Sequence, residues 1–522
     1  MHASRGYECL AIKRRELTLN TYRRIAVAVF SLLGVAAFIN LAYVLQGYVG
    51  VGTYLDHVEP DTAILAWRFS NGQPLYFEPT NAEHINTAYG PLLYIVTALP
   101  FLVFDPSIAV SKLASVLSLG LATLNFGYYV WRRFGSTLVG IAIILFTCFP
   151  LIVAPVSFWV RPEAHMVLLV TIALLSTLAE DKNRPWVTAI VIGACAGLAM
   201  NLKIHAFIFF VPLVFRYHLS DWLRQWPIMA VVSIAFLLLP FAFPNISLVN
   251  YFNGIAGTVG ERTIEFGAVI KALKWSPLFM LPGALLLVSA RLGGKPAERA
   301  DLIYLAAFAV ALSLTYYPSS VAGSTWRQML PFFPIGIDLF LRFMKLQRLD
   351  GCTWLISSTI VVLVLGMTAI SPERRILRAY VSNAWGADAG ANVRALTKLH
   401  PDKSIQIGYG DGRQLGYPLT YLRPWLAFAG HPVTVSGPST IERQFANKPF
   451  PKSKIRWIET CKTDYWLTDP LGNPFALDSF MSVGRAFPKE VELTFKRHYH
   501  KVRIFGHYQI WACKTGPHDP FF

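Results

Sequence analysis

Three carboxylates, Asp56, Glu59 and Asp61, stand within six residues of one another directly after the first strongly apolar segment of the chain. Carboxylates are unfavourable beside hydrocarbon, so such a cluster at a membrane edge marks a candidate site. A carboxylate placed there can take the proton of a hydroxyl nucleophile. The cations that would complement it come from distant parts of the chain. They are Arg161, beside Glu163 in Trp159-Val-Arg-Pro-Glu163; Lys203 and His205 in Asn201-Leu-Lys-Ile-His205; Arg262; and Arg327 in Ser324-Thr-Trp-Arg-Gln328. Fixed cations hold a phosphate and stabilise charge on a departing oxygen. Each residue also has a plainer reading: Arg161 pairing with Glu163, or Lys203 snorkelling to lipid phosphates.

These residues need a scaffold that gathers them at one level of a membrane. The chain has 522 residues, of which 54% are apolar and only 15% charged, a membrane composition. Apolar runs approaching the ~20 residues needed to cross the hydrocarbon core occupy 25–46, 107–130, 137–155 and 353–370. Weaker or Pro-interrupted runs occupy 164–178, 186–200, 206–215, 227–243, 277–290, 302–316 and 330–343. The expectation is a polytopic α-helical membrane protein of about 11 transmembrane helices. The first run is long and lacks a small-residue cleavage pattern, so it reads as a retained anchor. Lys13, Arg14, Arg15, Arg23 and Arg24 precede it and place residues 1–24 in the cytoplasm. Basic residues recur in alternate connections (Arg132/Arg133, Lys182/Arg184, Arg216/Arg224, Arg291/Lys295/Arg299, Arg342/Lys345/Arg348), which puts 47–106 outside as the first outer loop. Within it, 90–104 is then a juxtamembrane or re-entrant helix. Each candidate cation sits where an outward-going span turns back.

From about residue 371 the composition turns polar and Gly/Pro-punctuated, so the membrane unit 25–370 is followed by an extracytoplasmic region 371–522. An amphipathic helix at 389–399, strands at 404–409 and 464–468, and a closing hairpin around Gly506 predict a small α/β domain. Gly408-Tyr-Gly410-Asp-Gly412 lacks a phosphate-loop spacing and reads as a turn. The tail holds 21 of the 47 Lys+Arg and 12 of the 30 Asp+Glu. The formal charge of +17 therefore reflects topology and this basic tail, not a nucleic-acid partner. The six cysteines fit no metal spacing; only Cys461 and Cys513 share the oxidising side, making them the candidate disulfide.

One base, several cations and a membrane edge fit transfer of a sugar from a polyprenyl-phosphate donor. Its phosphate leaves without acid assistance, and hydrolysis would instead want two carboxylates flanking the bond. At this point the chain resembles the GT-C glycosyltransferases of the family 39-like group, which includes protein O-mannosyltransferases and lipid A aminoarabinose transferases. The resemblance rests on the acidic cluster after the first span and Gly72-Gln-Pro-Leu-Tyr76. It also rests on Tyr89-Gly-Pro-Leu-Leu-Tyr94, Arg161-Pro-Glu163 and Trp326-Arg-Gln-Met-Leu-Pro-Phe-Phe-Pro334, and it covers about residues 20–370. It implies an acidic residue of the first outer loop as base: Glu59, with Asp61 or Asp56 as neighbour. The usual adjacent Asp-Glu pair is here Glu59-Pro60-Asp61. Pro60 suits a first helical turn and leaves Glu59 at the helix mouth, while Asp61 has a capping role as its alternative.

Lys203, Arg327, Arg161 and His205 would then bind the donor phosphate, and Tyr89 and Tyr94 would line the substrate loop. The partners implied are the lipid-linked sugar donor, a lipid or glycan acceptor, and membrane lipids of a bacterial inner membrane, with the tail periplasmic. The reaction requires no metal cofactor, although relatives with a different acidic motif use a divalent ion. A polysaccharide ligase or polymerase, or a transporter of lipid-linked substrates, is the alternative. The transporter reading predicts repeats and mid-membrane charges that the sequence does not display.

Overall fold

The computed structural model describes residues 2–153, 157–182, 184–219, 221–259, 262–292, 298–321, 323–346, 385–411, 416–479 and 484–515. The expected span 353–370, the boundary at 371 and Cys352 lie outside the described residues. The described residues between 2 and 346 are mostly helical, and among them five helices are long and apolar enough to cross a membrane: Arg24–Gly50, Ile108–Phe134, Pro162–Ala179, Trp222–Ala242 and Arg299–Ser320. They coincide with five of the expected runs. Shorter apolar helices occupy Ser136–Cys148, Pro185–Met200 and Ala206–Tyr217.

Small residues set the closest helix contacts. A Cβ on Gly193 would lie 2.7 Å from the Met229 carbonyl oxygen, and one on Gly197 2.2 Å from that of Ser233. This Gly-x-x-x-Gly face lets Pro185–Met200 lie directly on Trp222–Leu238. The segment after the acidic cluster forms the helix Pro91–Ala98, continued as a 3₁₀ turn Leu99–Leu102. Leu99, Leu102, Val103 and Phe104 project exposed from its end, in keeping with a juxtamembrane helix too short to span.

Two arginines read as inner-loop charges have side chains enclosed in the bundle, Arg342 and Arg216. Arg342 Nε donates to Asp338 Oδ2 at 2.8 Å, Tyr129 donates to Asp338 Oδ1 at 2.7 Å, and Arg342 lies 3.5 Å from Asp301, which also pairs with Arg216. Their charges are matched by carboxylates, so they carry less orientational information than exposed ones.

Residues 385–515 build a four-stranded sheet with helices against it. The strands are β1 (Ile405–Ile407), β2 (Tyr465–Thr468), β3 (Tyr499–Phe505) and β4 (Tyr508–Cys513), in the order β1-β2-β4-β3. β1 and β2 are parallel; β4 runs antiparallel to both its neighbours, with a bulge in β3 between Lys501 and Arg503. Every residue of β1 and β2 is buried, as strands covered on both faces require. Gly506, at φ 54°, makes the turn of the β3–β4 hairpin. Cys461 and Cys513 are joined as a disulfide.

Candidate active site at the helix ends

The first long helix ends at Gly50, and its last carbonyls are met by a lysine. Lys112, fully buried one turn into Ile108–Phe134, donates from Nζ to the carbonyls of Tyr48 and Val51 at 2.9 Å and Thr53 at 2.7 Å. A cation is favoured at a helix C-terminus, where carbonyl groups lack intrahelical donors.

Glu59 opens the helix Glu59–Ser70, with Pro60 in the first turn. Its side chain turns into the protein. Oε1 accepts from the Tyr48 hydroxyl and from the Val160 N–H (3.2 Å); Oε2 accepts from the N–H groups of Leu55 (2.9 Å) and Asp56 (3.0 Å). The residue has no exposed surface. Burial pushes its carboxyl above the usual range, against the opposing charge of Lys112 and the Tyr48 hydrogen bond.

Asp56 has a different setting. Oδ1 accepts from the Val58 N–H at 2.8 Å and Oδ2 from Arg161 Nη1 at 3.0 Å, with His57 Nδ1 3.5 Å from Oδ1. Burial opposes its ionisation, but Arg161, His57 and the Val58 N–H outweigh that and hold the carboxyl below the usual range. Arg161 precedes Pro162 and so is extended, at φ −145° and ψ 167°, which throws its side chain away from the helix it introduces. Its Nη2 donates to the Tyr89 hydroxyl at 3.1 Å, and Nε faces Glu163 at 3.5 Å. Lys203 Nζ completes the chain of charges, donating at 2.9 Å to both Glu163 and Gln328 and lying 5.6 Å from the centre of the Tyr89 ring. Tyr89 is placed there by Gly90. Its N–H donates to the Leu202 carbonyl at 3.2 Å, and any Cβ would fall 2.1 Å from the Asn201 oxygen.

Arg327 stands at the edge of this array, half-buried, and among the described residues its guanidinium makes no hydrogen bond or ion pair. Burial and the neighbouring Arg161 charge lower its proton affinity, partly offset by Asp56 and Glu163. It follows Trp326, which stacks on Trp275 at 4.2 Å. His205 is neutral at ordinary pH, because burial pushes its pKa down to about 4.

Asp61 faces elsewhere. Oδ1 accepts from Arg423 Nη2 at 2.8 Å and Oδ2 from the Ser436 hydroxyl. The helix Glu59–Ser70 carries no side-chain cap, so Asp61 ties it to the C-terminal region instead of capping it. Neighbouring links reinforce the tie: Trp67 Nε1 to the Ala427 carbonyl (3.0 Å), the Asn86 N–H to Ser439 Oγ (2.8 Å), and Lys454 Nζ to the His84 carbonyl (2.8 Å). Arg262 lies 3.7 Å from Glu442 of the same region.

Of the residues singled out from the sequence, Asp56, Arg161, Lys203, Arg327 and Tyr89 therefore come together. Glu59 lies beneath them, and Asp61 and Arg262 meet the C-terminal region. Tyr94 is buried with its hydroxyl 2.6 Å from Thr87 Oγ1. Sequence reasoning passed over Lys112, His57, Arg423 and Lys454. Of these only Lys112 carried a signal, a lone lysine inside an apolar run. Among the described residues no group of three His, Cys, Asp or Glu side chains stands together to hold a metal ion.

Residues 88–247 match the family model of dolichyl-phosphate-mannose-protein mannosyltransferases. No curated protein matches the sequence. Among solved structures, ArnT from Cupriavidus metallidurans in the apo state aligns at 13% identity and TM-score 0.51, over 92% of this chain and 97% of that one. The same protein bound to undecaprenyl phosphate aligns at 14% identity and TM-score 0.52, over 92% and 99%. The Archaeoglobus fulgidus oligosaccharyltransferase, in complex with Zn and sulfate, aligns at 13% identity and TM-score 0.47, over 85% of this chain and 68% of that one. The fold of this chain is that of the GT-C glycosyltransferases.

Proposed function

We propose that the protein is a membrane-embedded glycosyltransferase that moves a sugar from a polyprenyl-phosphate donor to a hydroxyl of a lipid or glycan acceptor at the outer membrane edge. The observation carrying this reading is the pairing of a low-pKa carboxylate, Asp56, with Arg161, beside the uncommitted guanidinium of Arg327. The likeness to ArnT, crystallised with undecaprenyl phosphate, supports a donor of that class.

In this mechanism Asp56 accepts the acceptor hydroxyl proton as the oxygen attacks the anomeric carbon. The bond from that carbon to the phosphate oxygen breaks, and the polyprenyl phosphate departs with the electron pair. Arg327, with Arg161 and Lys203 behind it, stabilises the charge that develops on the phosphate. Asp56 then releases its proton to solvent. One displacement at the anomeric carbon inverts its configuration. Asp56 takes the role that the sequence assigned first to Glu59 for a physical reason. The Glu59 carboxylate is already filled by four protein donors and has no open face. Glu59 instead holds the backbone at Leu55 and Asp56, which aims the base.

The test is transfer of labelled sugar from polyprenyl-phosphate donors in membranes carrying wild type, Asp56→Asn or Glu59→Gln at matched levels. Asp56→Asn should abolish transfer while the protein remains folded. Full activity in Asp56→Asn would refute this assignment, and absence of transfer by wild type from any donor would refute the reading as a whole.

A further inference from the structure

The loop following the helix Glu59–Ser70 folds back against the turn 245–250. The Leu75 N–H donates to the Asn245 carbonyl at 2.9 Å, and Asn250 Nδ2 donates to the Tyr76 carbonyl at 3.1 Å. Between the two lies an open cavity of about 390 Å³. Sites for small ligands commonly measure ~300–1,000 Å³. Its apolar surface comes from Tyr76, Phe77 and Pro74, and its polar rim from Glu78, Thr80 and Asn81.

The rim has an uncommitted set of hydrogen-bonding groups. Among the described residues the Glu78 carboxylate, the Thr80 hydroxyl and Asn81 Nδ2 make no hydrogen bond, whereas Asn81 Oδ1 is used by the Glu83 N–H at 2.8 Å. Asn250 Oδ1 likewise has no donor, its amide nitrogen being taken by Tyr76. Acceptors and donors beside aromatic side chains suit a polyhydroxylated ring, which offers both apolar C–H faces and hydroxyl edges. The lining contains a carboxylate and no lysine or arginine. Arg68, 5.3 Å from the Phe77 ring, is already paired with Glu83. An anionic group is thereby disfavoured, and a neutral or amine-bearing sugar is favoured.

A relay of hydrogen bonds connects the cavity to the chemistry. The hydroxyl of Tyr76 donates to the Tyr89 carbonyl at 3.2 Å, and the Tyr89 hydroxyl accepts from the Arg161 that holds Asp56. One tyrosine thus forms a wall of the cavity and is linked to the base through Tyr89 and Arg161.

We infer that the cavity between residues 74–81 and Asn250 is a saccharide subsite that takes a neutral or amino sugar of the acceptor. Its role as an acceptor subsite rests on the transferase reading; its capacity to bind a sugar does not.

The probes are methyl β-D-glucopyranoside, its 2-amino analogue and, as the anionic control, glucose 6-phosphate. They are read by saturation-transfer NMR with the full chain in lipid nanodiscs free of sugar detergents. Wild type should saturate the neutral or the amino glycoside and leave the phosphate unsaturated. Glu78→Ala and Thr80→Val, at exposed positions without partners, should each weaken binding, the loss at the carboxylate being about tenfold in Kd. Absence of saturation by both glycosides, or unchanged binding in both rim variants, would each overturn the inference. Rim-dependent sugar binding in a protein that transfers nothing would leave the subsite standing and remove the transferase reading alone.

Discussion

Arg423→Met separates the first loop from the C-terminal region at its most buried joint. Arg423 is 1% exposed and Asp61 6% exposed, and their ion pair spans 2.8 Å. Removing the guanidinium leaves the Asp61 carboxylate buried with, among the described residues, only the Ser436 hydroxyl as donor, and strips the Val435 carbonyl of its 3.2 Å partner. Breaking a buried pair from one side destabilises by roughly 3–5 kcal/mol. The loss falls on the docking of the helix Glu59–Ser70, because Asp61 is its third residue. Local opening of that helix should therefore become about 150- to 5,000-fold more populated, since each ~1.4 kcal/mol is tenfold. Amide hydrogen exchange with peptide-level mass spectrometry measures this directly over residues 59–70. The double variant Asp61→Asn/Arg423→Met removes both charges and should recover a substantial part of the protection. Equal exchange in wild type and Arg423→Met, or a double variant as exposed as the sum of the singles, would refute the argument that this pair couples the C-terminal region to the helix Glu59–Ser70.

Other outcomes follow from the same geometry. Arg161→Gln removes the strongest influence lowering the Asp56 pKa, so that pKa should rise and the acid limb of the rate profile should move to higher pH; an unmoved limb would exclude Asp56 as the base. Arg327→Ala should reduce kcat/KM by about 10- to 100-fold, the value of a charge-assisted contact, with the protein still folded by thermal melting. Burial pushes Lys454 down to about 7, so between that value and its ordinary ~10.5 the unfolded state binds more protons than the folded one. Stability of the joint should accordingly rise as pH increases from 7 towards 10. Exchange at residues 84–86 should show this slope in wild type and lose it in Lys454→Met. The Cys461–Cys513 bridge closes a separation of 52 residues, so its removal by paired serine substitution should lower the stability of the C-terminal region by about 4 kcal/mol, read as the change in denaturation midpoint.

Much of the scaffold was legible because it depends on local pattern. Runs such as 25–46 and 107–130 are continuous apolar stretches, and their helices formed where hydropathy placed them. The strand 464–468 and the hairpin about Gly506 were visible from alternation and turn chemistry. The direction of a side chain was not legible in this way. Glu59 and Asp56 sit three residues apart with the same chemistry, yet one is filled by Tyr48, Leu55, Asp56 and Val160 and the other faces Arg161. Tyr48 lies at the end of the first helix and Val160 in the bend before Pro162–Ser176, and no local rule reports their approach. Arg342 shows the same limit, being indistinguishable in sequence from a loop arginine but buried against Asp338.

The sequence by itself determined that apolar helices dominate the first two thirds, that acids and bases cluster where those helices turn, and that a mixed α/β region follows. These properties arise from transfer free energies and backbone preferences, which act residue by residue. Only the tertiary structure decided which carboxylate is filled by protein donors and which faces Arg161, that Asp61 binds Arg423 over 362 positions, and that Lys112 closes the first helix. Those outcomes depend on burial and on partners distant in the chain, and both exist only once the helix ends have met.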